Sequence, residues 1–202
     1  STFEIANRLS QRGHLVNILY PLFPGASGKK WYNPKTFLSR SKLAVHNLFS
    51  MNKVKWFELK ANLICIPFMN KKWIPPADII VATWWEQAFF INECDKTKGE
   101  KVYFIRHYEI WGGPIDLVNR SYGLPLYKMV TSKWLKNTIE SKFNINVMGP
   151  FPNGIDTSVF FKETVSRNNA CIRIGMLYRR IRWKGMREGI EAIIEVQKKH
   201  DI

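Results

Sequence analysis

The chain has few cysteines for its 202 residues, and their spacing excludes two kinds of small stabilised domain. Cys65, Cys94 and Cys171 are far apart, so they fit neither a disulfide framework nor the paired ligands of a structural metal site. Two of them lie in apolar, strand-like surroundings. We therefore expect buried, reduced thiols, and we expect no metal cofactor.

Long hydrophobic stretches are also absent from the sequence. No apolar run reaches the roughly 18 residues that a membrane-spanning helix needs, and no signal peptide is recognisable. The chain begins with serine rather than methionine, so we expect the natural N-terminus to lie further upstream. The sequence predicts a cytoplasmic protein without a membrane span.

Acidic residues are scarce, since 16 Asp and Glu stand against 31 Lys and Arg, which gives a formal net charge of +15. A surplus of this size indicates anionic partners, such as nucleic acid, phosphorylated small molecules or an acidic membrane surface. It does not distinguish among them. With 46% hydrophobic and 23% charged residues, the composition is that of a folded globular protein rather than a disordered chain.

The basic surplus is concentrated in residues 29–60, where aromatic residues are interleaved with cations and Glu58 is the one acid. This composition fits a surface that lies against anionic lipid, because cations attract the headgroups and aromatic rings settle at their level. An irregular insertion with a small core of its own explains it equally well. Single-stranded nucleic acid is a weaker alternative, since no DNA- or RNA-binding motif accompanies the segment.

Short apolar runs alternate with helical patterns along the chain, which predicts a parallel α/β sheet. The continuous apolar runs at 62–67 and 78–83 are typical of strands that are buried on both faces. Because such a domain normally begins with a strand, we expect one more strand before residue 1. The predicted strands are 15–20, 62–67, 78–83, 102–105, 128–131 and 146–148, and the predicted helices are 1–12, 85–93 and 133–142.

A second βα unit follows, with a strand predicted at 171–176 and a helix from about residue 184. One such unit cannot bury its own apolar face, so we interpret it as the start of a second domain that this chain contains only in part. The predicted division is an N-terminal domain at 1–156, a polar connector at 157–169 and the start of the second domain at 170–202.

A histidine follows the predicted strand at 102–105, where a parallel sheet places its ligand-binding edge. His107 has Tyr108 and Glu109 beside it. Imidazole at this position can hydrogen-bond a sugar hydroxyl or carry a proton. A histidine with a purely structural role is the alternative interpretation.

Two more polar elements follow predicted strands. Ser132 stands where the N-cap of the helix at 133–142 belongs. Asn153 and Gly154 form a dipeptide that is common in turns with positive φ. Since the carboxyl ends of parallel strands meet at one edge, we predict that these three residues and His107 face one crevice.

Residues 175–185 place three arginines and a lysine between a predicted strand and a predicted helix. Their glycine spacing, and the lack of Ser or Thr after the lysine, exclude a Walker A loop. Cations beside a helix N-terminus nevertheless suit a diphosphate, because backbone N–H groups and the helix dipole favour an anion and Arg binds its oxygens in pairs. A solvated basic loop is the alternative. The residues concerned are Arg179, Arg180, Arg182, Lys184 and Gly185.

These motifs, in this order, resemble the family 4 glycosyltransferases, whose GT-B fold sets two Rossmann-like domains across a cleft. The opening helix with QRGH is similar to the family's start, and ADIIVATWW is similar to its central strand. PNGID followed by Phe160 resembles the family's domain junction. Lys184 and Gly185, with GIEAI after them, resemble the start of the donor-binding domain. YFIRHYEIW and YGLPLYKMVTSKWL more narrowly resemble rhamnosyl- and other polysaccharide-building members.

The resemblance implies a retaining transferase that moves a sugar from a nucleotide-diphosphate donor to a glycan or a lipid-linked acceptor, with no divalent ion. It implies that His107 contacts the transferred sugar and that Lys184 binds the diphosphate. The family's accompanying arginine would stand at Met176, so Arg179 or Arg180 is its expected substitute, with Arg179 slightly preferred. The other expected site residues are Gly185, Asn153 and Gly154 for the donor, and Tyr108, Glu109 and Ser132 for the acceptor side of the cleft.

The family's glycine-rich loop would precede residue 1 and its pair of glutamates would follow residue 202, so we expect this part of the chain alone to be inactive. An epimerase and a glycogen- or starch-type transferase are alternatives within the same fold. A non-catalytic GT-B partner subunit and a basic nucleic-acid-binding module are alternatives from other classes. The expected location is the cytoplasmic face of a membrane, with residues 29–60 as the contact.

Overall fold

The structure is a computed structural model, and it describes residues 2–21, 54, 56–162, 173–178, 181 and 184–200. Most of the predicted lipid surface at 29–60 therefore lies outside the described residues. The chain divides into two compact units, residues 1–154 and 155–202. All the β-strands of the described residues lie in the first unit.

The first unit contains two parallel sheets, which confirms the predicted α/β class with parallel strands. Among the described residues, one sheet has two strands and the other has three, in the order β3-β4-β5. Every strand pair is parallel, so helices or long segments must connect the strands. The strands are β1 (Asn17–Pro21), β2 (Asn62–Ile66), β3 (Ile79–Ala82), β4 (Glu100–Ile105) and β5 (Tyr127–Val130).

The strand predicted at 146–148 is reduced to a single bridge, whereas the other five begin and end within two residues of their predicted bounds. Met148 pairs with Met129 of β5, and its N–H donates to the Lys128 carbonyl at 2.8 Å. Pro150 follows two residues later. Because proline has no N–H, it cannot continue a hydrogen-bonded ladder, and the strand ends before it is established.

Four α-helices lie within the described residues of the first unit. The last of them begins as predicted at the N-cap residue Ser132, whose hydroxyl accepts the Leu135 N–H at 3.1 Å. It ends at Asn144, which adopts the left-handed conformation (φ 50°, ψ 47°) that commonly closes a helix. The helices are α1 (Thr2–Gln11), α2 (Trp85–Asn92), α3 (Ile115–Tyr122) and α4 (Lys133–Phe143).

The helix α3 was not predicted from the sequence. Pro114 precedes it and Gly123 follows it, which is the usual punctuation of a helix start and end. Its apolar residues Ile115, Val118 and Tyr122 recur at the spacing of one helix face, and Val118 and Tyr122 are fully buried. Both the punctuation and the apolar spacing therefore mark this short helix of eight residues.

The core lies against one face of the three-stranded sheet. Ile80 and Ala82 of β3 are buried, but Ile79 and Val81 are 59% and 50% exposed. The expectation that this strand is buried on both faces is therefore wrong. β3 is the outer strand of its sheet, and successive side chains of a strand point to opposite faces, so only alternate residues reach the core.

The helix α1 is fixed to the chain that leads into β2 by one buried side chain. The Asn7 amide donates to the Glu58 carbonyl at 2.7 Å, and its oxygen accepts the Lys60 N–H at 2.7 Å. Phe3 of α1 also lies 5.7 Å and 5.8 Å, ring to ring, from Trp56 and Phe57. The described end of the basic, aromatic segment thus packs partly on α1.

Four lysines of the first unit donate to backbone carbonyls. The Lys98 amine donates to Ile74, and that of Lys101 to Asn92 and Cys94, just after α2. The Lys128 amine, in a residue only 8% exposed, donates to Leu124 at 2.6 Å and Leu126 at 3.1 Å, and the Lys136 amine donates to Val147. Burial lowers the pKa of Lys128. Part of the positive charge is therefore used to hold carbonyl groups at the ends of elements.

The second unit differs from the prediction. Residues 173–178 form no strand, so the strand predicted at 171–176 is wrong for its described part. The predicted helix is present as α5 (Met186–Gln197), which begins after Gly185 (φ 71°, ψ 20°). The flexible end of the Met176 side chain lies directly on Gly189. A parallel strand needs a hydrogen-bonding neighbour, and the described residues of this unit supply none.

None of the helices within the described ranges is both long enough and apolar enough to cross a membrane.

The Asn7 contact gives the first testable prediction. Replacement Asn7→Ala removes two part-buried hydrogen bonds and leaves their backbone partners unsatisfied, so the free energy of unfolding should fall by about 1–3 kcal/mol. Asn62→Ala is the matched control, because the amide of the exposed Asn62 makes one solvent-exposed hydrogen bond, to the Asn17 Oδ1 at 3.2 Å. Its cost should stay below about 0.5 kcal/mol in urea-induced unfolding. Equal losses in the two variants would contradict a special role for Asn7.

Candidate functional site

The carboxyl ends of the three-stranded sheet bring several polar and aromatic residues to one edge. β4 is the central strand, and His107 follows it after one residue. β5 ends next to it, and the Thr131 hydroxyl donates to the Arg106 carbonyl at 3.4 Å, which ties the two strand ends together. Ser132 thus lies at the same edge as His107. Trp84 reaches this edge from the neighbouring strand β3.

The exposed His107 ring has one nitrogen between a donor and an acceptor. Its Nδ1 lies 3.3 Å from the Trp111 Nε1, which can only donate, and 3.1 Å from the Tyr108 carbonyl, which can only accept. One nitrogen cannot satisfy both at once. If Nδ1 accepts from the indole, the ring proton is on Nε2, whereas a proton on Nδ1 favours the carbonyl. The tautomer of His107 and its bond to Trp111 are therefore linked.

Two tryptophans form an aromatic surface beside His107. The Trp111 ring is 66% exposed and meets the imidazole edge-on, with ring centres 6.0 Å apart. It packs against Trp84 at 5.5 Å on its other side. Exposed indole rings with a polar partner are suited to stacking on flat or partly apolar ligands. The sequence analysis did not select either tryptophan as a site residue. Trp84 follows the end of β3, and Trp111 follows the His107 motif.

Glu109 lies in the interior rather than in a crevice. It is 3% exposed, and its Oε2 accepts hydrogen bonds from the Trp85 N–H at 3.0 Å and from the Tyr103 hydroxyl at 3.1 Å. Trp85 is the first residue of α2, and the N-cap residue Trp84 makes no side-chain cap of its own. A distant carboxylate therefore caps this helix, where negative charge is favourable.

Burial raises the pKa values of the three titratable groups in this cluster, which are Glu109, Tyr103 and Tyr122. It raises the pKa of Glu109, with the hydrogen bonds from Tyr103 and Trp85 acting in the opposite direction. Burial also raises the pKa values of Tyr103 and Tyr122, so both phenols remain protonated at physiological pH. The Tyr122 hydroxyl accepts the Glu109 N–H at 2.9 Å, and the Tyr103 and Tyr122 rings stack at 6.0 Å. The group is a structural network.

Tyr108 is likewise buried, at 8% exposure. Its hydroxyl donates to the Asn119 Oδ1 at 3.1 Å, and the Lys142 amine lies 3.4 Å from the same hydroxyl. Its ring stacks on Tyr122 at 5.7 Å. The sequence placed Tyr108 and Glu109 on the acceptor side of a cleft, and the structure instead turns both side chains into the core.

Two glycines let the segment after Glu109 lie closely on the tryptophan pair. A Cβ at Gly112 would overlap the Trp84 ring, and one at Gly113 would overlap the Trp85 ring. The WW pair after β3 and the EIWGG segment after β4 therefore fit together as one unit. The sequence shows both motifs but not that they meet, because the contact spans two strands.

Asn153 and Gly154 are both exposed, and neither adopts positive φ, so the expected turn geometry is absent at this dipeptide. The local turn is organised by Asp156 instead. Its Oδ1 accepts the Ser158 N–H at 3.0 Å and the Ser158 hydroxyl at 2.6 Å. The Asn-Gly dipeptide thus lies at the end of the first unit and does not form the turn that was expected there.

The expected diphosphate residues belong to the second unit, and the structure describes only some of them. Lys184 is exposed and directly precedes Gly185, at the start of α5. Arg179 and Arg180 lie outside the described residues. The cleft that would be shared by His107 and Lys184 therefore stays a prediction.

No group of three His, Cys, Asp or Glu side chains is arranged to hold a metal ion within the ranges that the structure describes. Cys94 is buried, and burial raises the pKa of its thiol, which makes it a poor nucleophile. Cys65 is half-buried. The thiols among these residues therefore offer no evident catalytic chemistry.

Comparison of the chain with models of protein families, with curated proteins and with solved structures gave no match. The family resemblance thus remains a sequence-based hypothesis.

The Glu109 network gives a prediction with a defined pH dependence. Because burial raises the pKa of Glu109, the folded state keeps this proton to a higher pH than the unfolded chain does. Its contribution to the free energy of unfolding is thus fully present below the ordinary carboxyl range and is lost as pH rises through the raised value. Glu109→Gln keeps an acceptor but removes the titration. Its free energy of unfolding, relative to wild type, should therefore rise as pH increases from the ordinary carboxyl range through the raised pKa of Glu109.

Glu109→Ala is the companion variant, and it should lose about 1–3 kcal/mol because the Trp85 N–H and the Tyr103 hydroxyl are left unpaired. Chemical denaturation followed by far-UV circular dichroism across the pH range measures all three proteins. A difference between wild type and Glu109→Gln that is independent of pH would refute the assignment.

A third prediction concerns the glycines. Gly113→Ala places a Cβ into the Trp85 ring and should lower the free energy of unfolding by about 1–3 kcal/mol. Gly154→Ala is the matched control, since nothing lies within 4 Å of its Cβ position. That variant should be neutral or slightly more stable, because alanine restricts the unfolded chain. Thermal unfolding of the two variants side by side is the measurement, and a stable Gly113→Ala protein would contradict the close packing.

Proposed function

We propose that the protein is a glycosyltransferase that moves a sugar from a nucleotide-diphosphate donor to a glycan or a lipid-linked acceptor, with retention, on a GT-B fold of two Rossmann-like domains. The observation that carries this proposal is the position of His107 directly after the central strand of a parallel sheet. Ligands of open α/β sheets bind outside the carboxyl ends of the strands. The order of the sequence motifs, which resembles that of the family 4 glycosyltransferases, supports the proposed reaction and substrates.

His107 is proposed to contact the sugar that is transferred. Its ring is exposed, and its Nδ1 faces Trp111 and the Tyr108 carbonyl, so the orientation of the imidazole is restrained. A restrained ring loses less freedom when it binds a hydroxyl group, which favours a defined sugar position. The exposed Trp111 ring beside it supports a ligand with a flat or partly apolar face.

Lys184 is proposed to bind the donor diphosphate at the start of α5, together with Gly185 and with Arg179 or Arg180. When the sugar–phosphate bond breaks, negative charge grows on the departing diphosphate and positive charge on the sugar ring. Fixed cations and helix N–H groups stabilise that negative charge where it develops. α5 has 12 residues and begins one residue after Gly185, so Lys184 lies near its positive end.

The acceptor and the membrane surface are proposed on the sequence and on the charge of +15. Residues 29–60 would hold the protein at the cytoplasmic face of an anionic membrane, within reach of a lipid-linked acceptor. Within this segment Trp56 is 77% exposed, which is compatible with contact at the headgroup level.

A non-catalytic GT-B partner subunit is the second candidate. One observation favours it, namely that Met176 stands where the family's phosphate-binding arginine would be expected. A subunit of this kind would keep the fold but would not cleave the donor. A nucleic-acid-binding module is less favoured, because no motif for it accompanies the basic residues.

Transfer assays on the complete protein test the proposal, with a panel of UDP-, GDP- and dTDP-sugars. Lys184→Ala and His107→Ala should each lower kcat by about 10²–10³-fold, the usual cost of removing a group that stabilises transition-state charge or position. Lys133→Ala is the matched control, because Lys133 is an exposed lysine at the start of another helix, α4. Its kcat should stay within about two-fold of wild type.

Two outcomes would decide against this assignment. Turnover that survives Lys184→Ala within a few-fold would remove the diphosphate role. Absence of turnover and of donor hydrolysis with every sugar nucleotide, in a protein that still binds one of them, would favour the non-catalytic partner.

A further inference from the structure

A groove of about 460 Å³ lies on the helical side of the first unit, at the C-terminal ends of α3 and α4. The loop at its base, which includes Leu124 and Pro125, leads into the first residue of β5. The groove is therefore at the opposite end of β5 from the carboxyl edge that carries His107 and Ser132. The candidate site already described does not account for it.

The walls of the groove are apolar. Phe89 of α2, Phe143 of α4 and the loop residues Leu124 and Pro125 form them. Phe89, Phe143 and Leu124 are only partly buried, although all three pack against the core. An apolar ligand segment would complete this contact and would be favoured at roughly 25 cal/mol for each Å² of apolar surface removed from water.

The two polar side chains of the groove, Asn119 and Arg120, offer hydrogen-bond donors. Asn119 already uses its Oδ1 to accept the Tyr108 hydroxyl at 3.1 Å, so its amide offers N–H groups. Arg120 is exposed, and its guanidinium has no hydrogen bond or ion pair within the described ranges. Among the described residues, those that line the groove include no acidic side chain. The groove thus presents hydrogen-bond donors and positive charge beside an apolar wall.

Two of the backbone acceptors at the base are already occupied. The Arg120 carbonyl accepts the Gly123 N–H at 3.1 Å, and the Leu124 carbonyl accepts both the Leu126 N–H at 2.8 Å and the Lys128 amine at 2.6 Å. A ligand that must donate hydrogen bonds would therefore find few partners. A ligand with two acceptor oxygens matches the fork of a guanidinium.

We propose that this groove binds a small amphipathic monocarboxylate, with an acyl or aryl body against Phe89, Leu124 and Phe143 and its carboxylate on Arg120 and the Asn119 amide. The groove is open to solvent along much of its length, and its volume is of the order of about 300–1,000 Å³ found for small-molecule sites. It is small for a contact with a folded protein partner. The site is independent of the sugar nucleotide and of the proposed transferase activity.

Calorimetric titration of the complete protein with decanoate, below its micelle concentration, tests the site. Decanamide of the same chain length is the neutral control ligand. Wild type should bind decanoate more tightly than decanamide. Arg120→Gln should weaken decanoate binding by about 10–100-fold, because a hydrogen bond to a charged group contributes about 1.5–3 kcal/mol, and should leave decanamide binding unchanged. Arg12→Gln, which changes an exposed arginine of the same unit outside the groove, should bind decanoate as wild type does.

A groove-filling variant provides a second test. Gly123 lines the groove and has an ordinary φ of −81°, and a Cβ there would lie 3.5 Å from the Arg120 carbonyl, which is normal contact. Gly123→Leu is therefore expected to fold, which thermal unfolding checks, and to abolish decanoate binding. Failure of wild type to bind decanoate at millimolar concentration would overturn the proposal. The proposal would also be overturned if Arg120→Gln or the folded Gly123→Leu protein bound decanoate as tightly as wild type does. Equal affinity of wild type for decanamide and decanoate would overturn it as well.

Discussion

The hydrogen bond from the Trp85 N–H to the Glu109 carboxylate is the contact on which the candidate site depends. It joins the start of α2 to the segment that follows β4, and it fixes that segment where His107 and Trp111 emerge. Burying a carboxylate is costly unless it is hydrogen-bonded, and here a helix N-terminus and the Tyr103 phenol supply the bonds. The aromatic surface of the edge is therefore held by a polar contact beneath it.

Because of this contact, the residues of the segment 107–113 have two different roles. Tyr108 and Glu109 turn inward and hold the segment to the core, while His107 and Trp111 stay exposed. Gly112 lets the backbone lie against Trp84. One short loop thus combines the residues that anchor it with the residues that are able to meet a ligand. Neighbouring positions in a motif need not share a role.

The sequence predicted the strands well, because continuous apolar runs bounded by turn residues are a local signal. It also predicted the N-cap at Ser132, where a serine precedes a helical pattern. It missed α3, which is only eight residues long, although Ile115, Val118 and Tyr122 recur at the spacing of one helix face. The strand at 171–176 was predicted from its apolar residues alone, although a strand also requires a neighbour.

The candidate site was predictable only in part, because some of its contacts join residues that are far apart in the sequence. Topology alone places His107 and Ser132 at one edge, because parallel strands end together. The inward turn of Glu109 could not be predicted, since it depends on the free N–H of Trp85, which is 24 residues away in sequence. Trp84 and Trp111 were overlooked because nothing in either motif alone indicates that their rings meet.

The lysines that donate to backbone carbonyls give the positive charge two separate roles. Lys128 and Lys101 act over short distances inside the fold, whereas Arg120 and Lys184 face the solvent. Dissolved ions screen exposed charges over about 8–10 Å at physiological ionic strength, but they weaken short, partly buried hydrogen bonds much less. Rising ionic strength should therefore release an anionic partner from this protein long before it loosens the fold.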